Sequence, residues 1–91
     1  MYVYRFKDYL GSIEYVGITK NINKRISQHI KNKKTRGTEI IEYYSNASES
    51  YIKRLEQYLI YKYKPKKNKL IYSVDDETLE PMESEWKVYG E

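Results

Sequence analysis

Along the chain, stretches rich in aromatic and β-branched residues give way to stretches whose apolar residues recur every three or four positions, and this division predicts the elements. Residues 2–7, Tyr-Val-Tyr-Arg-Phe-Lys, predict a strand. Asp8-Tyr9-Leu10-Gly11 predicts a turn, and residues 12–18 the returning strand, so the chain opens with a β-hairpin. With the turn centred on Leu10, Tyr4 falls opposite Tyr15 and Tyr2 opposite Gly17, and Tyr2, Tyr4, Ile13 and Tyr15 share one face. Asn21 should cap a helix running to about Lys31, with Ile22, Ile26 and Ile30 as its apolar stripe. A basic connection ending at Gly37 follows, and residues 38–44 form a third strand candidate. Asn46 and Glu49 have the spacing of a capping box for a second helix from about Ala47 to Tyr63, which must stop before Pro65. Its stripe is Ile52, Leu55, Leu59, Ile60 and Tyr63. Leu70–Val74 and Trp86–Tyr89 are two further short strand candidates. The order ββαβα predicts an α+β fold, a small three-stranded antiparallel sheet flanked by helices. Residues 1–72 form the expected domain, and 73–91 a short acidic C-terminal extension packed on it or following it.

Composition narrows the class. A chain of 91 residues supports one core, because chains of this size bury only about two-thirds of their unfolded surface. At 40% hydrophobic and 15% aromatic residues it is expected to fold. With no cysteine and a single histidine, disulfide frameworks and ordinary structural zinc sites are excluded. No apolar run approaches the roughly 18–20 residues of a membrane span, and the first residues do not resemble a signal peptide, so a soluble cytoplasmic protein is expected. Net charge is +4, but residues 1–72 carry 16 basic and 6 acidic side chains while residues 73–91 carry 1 and 7. A strongly basic body points to a polyanionic partner or to a merely lysine-rich surface. The acidic segment could fold over that body and compete with the polyanion, or simply add packing.

Three placements go beyond packing. Glu56 lies midway between Ile52 and Ile60 on the second helix, hence on its apolar stripe, where an ionised carboxylate needs compensation. It could equally sit at the rim, reaching water or pairing with Lys53 or Lys62. Arg25 and His29 rise from one side of the first helix and could together hold an anion, although a solvated face would look the same. Tyr4 and Tyr15 stand where phenylalanine would pack better, so their hydroxyls need partners or water.

These residues together resemble the GIY-YIG endonuclease family. Tyr2-Val3-Tyr4 and Tyr15-Val16-Gly17 look like its two tripeptides, with Tyr in place of the first Gly and Val in place of each Ile. Asn21 through Arg25 and His29 look like its first helix, Arg54-Leu55-Glu56-Gln57-Tyr58 like the helix carrying its metal-binding Glu, and Pro65 to Asn68 like its closing element. The resemblance spans residues 2–68 and is silent on the rest. It implies a nuclease that hydrolyses DNA phosphodiester bonds with one divalent ion, Mg²⁺ or Mn²⁺, on Glu56. Tyr4 is then the favoured general base and Tyr15 the group orienting water or phosphate, although the two could exchange roles. A tyrosine base must titrate below its reference value of about 10. Arg25 would neutralise phosphate charge. His29 would bond the same group or hold a tyrosine hydroxyl, and Asn68 would pin backbone. Gly17 would let backbone and substrate approach closely, or simply end a strand.

The remaining cations, Lys31, Lys33, Lys34, Arg36, Lys62, Lys64, Lys66, Lys67 and Lys69, are expected to track the nucleic-acid backbone. Nothing resembles a base-reading module, so specificity should rest on DNA structure such as branches, ends or damage, or on a protein partner. The competing class is a non-cleaving nucleic-acid-binding or protein-interaction module on the same fold. Oligomeric state is not legible in the sequence.

Overall fold

A computed structural model describes all 91 residues. Strands β1 (Tyr2–Lys7), β2 (Ile13–Thr19), β3 (Ile40–Ser45) and β4 (Lys87–Val88) form one antiparallel sheet of order β2-β1-β3-β4. Helix α1 (Ile22–Lys31) lies after the hairpin and α2 (Glu49–Tyr63) after β3. The sheet therefore has four strands, one more than expected. The added strand is what remains of the Trp86–Tyr89 candidate, whereas Leu70–Val74 forms no strand.

The hairpin register differs from the simple expectation. Tyr4 faces Gly17, Phe6 faces Tyr15 and Tyr2 faces Thr19. The Asp8 carboxylate accepts from the amides of Leu10 and Ser12, building a wider turn, and a shift between Phe6 and Lys7 displaces the pairing. The alternation within β1 survives. Tyr4 and Phe6 pack with Ile22 and Ile26 of α1, while Val3 and Val16 pack on the opposite face with Ile52, Leu55, Leu59 and Ile60 of α2.

Both helices are capped by side chains. Asn21 Oδ1 accepts from the Lys24 amide at 3.1 Å, and Ser48 Oγ from the Tyr51 amide at 3.2 Å. Asn46 is not the cap of α2, because its oxygen takes the Ser48 amide in a turn one step earlier. The expected stripe of α1 is corrected at its end: Ile30 is 57% exposed and His29 only 6%. At the end of α2, Tyr63 is likewise exposed, and Tyr58 is buried instead.

Residues 73–91 are built into this core. Trp86, 7% exposed, joins the α2-side cluster, and the Arg5 guanidinium lies 3.9 Å from the centroid of its ring. Arg5 is fully buried and is satisfied by Glu42 and Glu83, each at 2.8 Å. Lys62 pairs with Glu80 at 2.5 Å, and the Tyr51 hydroxyl donates to the Leu79 carbonyl at 2.6 Å. Replacing Trp86 with Ala should therefore lower unfolding free energy by about 3–5 kcal/mol, the usual result of emptying a large aromatic site, as read from urea denaturation.

Candidate functional site

The α1 face of the sheet gathers four predicted residues around one buried hydroxyl. Tyr4 has no solvent exposure, and its oxygen lies 2.6 Å from His29 Nε2 and 3.4 Å from Arg25 Nε. Burial, then the charges of Arg25 and Lys34, hold His29 down to about 4, so its ring is neutral at pH 7. Burial and the neighbouring Tyr15 phenol push Tyr4 well above the ordinary phenol value. Arg25 Nε–H donates to the Tyr4 oxygen, and the Tyr4 hydroxyl is hydrogen-bonded to the neutral His29 ring. Arg25 and His29 thus share a phenol. Gly17 has the same cause. A Cβ there would stand 2.5 Å from Tyr4 Cζ, so the glycine makes room for Tyr4.

Tyr15 connects this cluster to a second one. Its ring centroid lies 5.2 Å from that of His29 and 6.1 Å from that of Tyr4. It is half-buried and lines a cavity of about 240 Å³ at the β2 edge, together with Val16, Lys34, Glu56, Asn68 and Lys69. Lys34 Nζ sits 4.8 Å from the centre of the Tyr15 ring, a cation–π distance. The Asn68 amide grips Val16, accepting its N–H and donating to its C=O, both at 2.9 Å. Tyr4, Arg25 and His29 do not line this cavity.

Glu56 is half-buried at the cavity wall, and burial pushes its carboxyl above the usual range. It forms no ion pair with Lys53 or Lys62, and no group of three or more His, Asp or Glu side chains is placed to chelate an ion. A metal here would rest on Glu56, water and substrate phosphate. That sparse donor set suits Mg²⁺, which keeps most of its waters.

The basic residues divide. Lys34 and Lys69 line the cavity without ion pairs. Lys62 is held by Glu80, and Lys66 and Lys67 by Glu14 at 3.3 and 3.1 Å. Lys31 ends α1, Lys64 caps α2 with φ +47°, and Lys33 turns the following loop with φ +60°, ahead of the exposed Arg36. The sequence reading missed Tyr72, which lines the cavity and is raised by burial and by the Glu56 charge. No periodicity marks it. The acidic residues Asp75, Asp76 and Glu77 lie by Arg54 and Gln57, away from this cavity.

Fold and site together define a small α+β domain with one unpaired carboxylate in a cationic notch. The profile of the GIY-YIG catalytic domain matches residues 1–70, and the chain belongs to the GIY-YIG family, whose domain implies nuclease activity on DNA and generally a divalent metal. No curated protein and no solved structure gives a significant match.

Two stability measurements probe the Tyr4 cluster. Gly17→Ala should destabilise by about 1–3 kcal/mol through overpacking against Tyr4, read by urea unfolding. His29 is depressed in the fold, so the unfolded chain takes up its proton first as pH drops. Stability from this residue is complete above about pH 6.5 and is lost toward about pH 4, with a slope of at most about 1.4 kcal/mol per pH unit. The slope should shrink in His29→Gln; an unchanged slope would exclude His29 as its source.

Proposed function

We propose that the chain is a metal-dependent endonuclease that hydrolyses DNA phosphodiester bonds at the cavity between Tyr15 and Glu56. The observation carrying this reading is Glu56: a half-buried carboxylate, left without a cationic partner in a notch that also presents Lys34 and Lys69. A divalent ion there, Mg²⁺ or Mn²⁺, would supply charge to the scissile phosphate and the departing oxygen.

The two tyrosines take roles opposite to those the sequence favoured. Tyr4 is inaccessible, and its hydroxyl is engaged by His29 and Arg25. Tyr15 is open to the cavity, and we assign it the proton of the attacking water. Tyr15 would take that proton as a phenolate, becoming the neutral phenol as water becomes the attacking hydroxide, and Lys34 over its ring would stabilise that phenolate. Tyr4 and His29 support the Tyr15 ring from behind. Arg25, bonded to Tyr4 through Nε and to Gln28 through Nη1, is exposed and would present its remaining N–H groups to phosphate. DNA structure, or a protein partner, would supply specificity.

Nicking of supercoiled plasmid tests the reading. Wild-type protein should nick with Mg²⁺ or Mn²⁺ and not with EDTA. Glu56→Gln should lose the activity, and Tyr15→Phe should lose about 10²–10⁴-fold, the usual contribution of an acid–base group. Tyr4→Phe should lose less than Tyr15→Phe. DNA binding without cleavage in either metal would instead favour the non-cleaving module.

The metal can be tested without catalysis. Because burial raises Glu56, its ionised form opposes folding above the folded-state value, and Glu56→Gln should raise Tm of the metal-free protein at pH 7.5. Mg²⁺ should raise the Tm of wild type and not of the variant. Equal metal-induced shifts in both proteins would place the ion elsewhere.

A further inference from the structure

Glu14 carries a charge yet is only 3% exposed, and its surroundings account for it. Its carboxylate receives Lys67 Nζ at 3.1 Å, Thr38 Oγ1 at 3.1 Å and Lys66 Nζ at 3.3 Å. Burial opposes its ionisation, but the hydrogen bonds from Lys67, Thr38 and Lys66 outweigh that and hold the carboxyl below the usual range.

Lys67 is the more telling member. Besides Glu14, its ammonium donates to the carbonyls of Lys34 at 3.0 Å and Arg36 at 2.6 Å. Those three acceptors occupy all three ammonium protons, leaving none for a phosphate. Its backbone amide also donates to the Glu14 carbonyl at 2.9 Å. A single residue thus joins strand β2, one position before Tyr15, to the loop that carries Lys34.

That loop's own bonds run along its backbone, the Lys33 amide to the Ile30 carbonyl, Arg36 to Lys33 and Thr38 to Thr35, and none of them holds the Lys34 side chain. It leaves α1 through Lys33 at positive φ, and the Lys34 amide bonds back to the His29 carbonyl at 2.9 Å. A lysine side chain on such a loop would ordinarily sample many rotamers. Here Lys34 is held over the Tyr15 ring.

We infer that buried Glu14 and half-buried Lys67 form a clamp that positions Lys34 against Tyr15, so that both are positioning residues of the reaction and Lys67 is not part of the DNA-contacting surface. The inference rests on the nuclease reading for its catalytic consequence and on geometry alone for the clamp. Losing the clamp should act on turnover more than on binding, because displacing a group near the reacting atoms by about 1 Å can cost up to about 10²-fold in rate.

The test uses the full chain with Lys67→Met, Lys67→Arg and the double variant Glu14→Gln/Lys67→Met, which leaves no orphaned buried charge should the single variant fail to fold. The first readout is NMR of the Lys34 ε-methylene protons, whose ring-current shift is identified by its loss in Tyr15→Leu. That shift should collapse in Lys67→Met and in the double variant and persist in Lys67→Arg. In plasmid cleavage, kcat should fall about ten-fold with KM within about two-fold, and Lys67→Arg should recover most of it. The salt dependence of DNA binding should not change. An unchanged Lys34 shift overturns the clamp, as does a loss confined to KM with a salt slope reduced by about 0.9, the signature of one lost phosphate contact. If wild-type protein cleaves nothing, the nuclease reading fails while the resonance still decides the clamp.

Discussion

The site depends on the way an open sheet edge is closed. Strand β2 is at one end of the sheet, and its outward amides and carbonyls must be satisfied by something other than a neighbouring strand. The segment after α2 does this with three bonds: the Lys67 amide to the Glu14 carbonyl, and the two ends of the Asn68 amide to Val16. Tyr15 lies between those two anchored residues. The segment that covers the edge also walls the cavity, bringing Asn68 and Lys69 beside Glu56. Closing the edge and building the notch are one structural event.

A sheet edge is also where side chains from opposite faces can meet. Tyr4, Arg25 and His29 gather on the α1 side, and Glu56 rises from α2 on the other. Tyr15 belongs to the α1 side through its ring contacts and to the cavity through its exposure. The buried Tyr4–His29 bond serves this arrangement by holding a rigid aromatic wall behind Tyr15, without an unpaired polar atom.

Much of the architecture was legible because local signals agreed with tertiary packing. The first two strands, both helices and the Asn21 cap follow from side-chain type and spacing. The hairpin register did not, because it turns on how Asp8 widens the turn and where the strand shifts, neither of which the hydrophobic alternation encodes. Spacing placed His29 beside the apolar stripe, but only the presence of a tyrosine hydroxyl beneath it makes a histidine more favourable inside than Ile30. The candidate site was legible as a set of residue types. Its division was not: which tyrosine is enclosed, and which lysines are already bonded, depends on contacts between residues far apart in the chain, such as Tyr4 with His29 and Glu14 with Lys67. Tyr72, just past the matched span, had no local signal at all.

Charge accounting separates the acids with a structural partner from the one left without. Residues 1–72 hold six acidic side chains among 16 basic ones, so pairing is easily available. Glu14, Glu42 and Glu49 form ion pairs, Asp8 caps the hairpin turn, and Glu39 is exposed. The acidic extension follows the same rule, with Glu83 on Arg5 and Glu80 on Lys62. Glu56 departs from it. It is withdrawn from water far enough to be disfavoured as an anion, yet no lysine or arginine pairs with it. A fold that paired every partly buried acid would gain stability and lose the place where an external cation could bind.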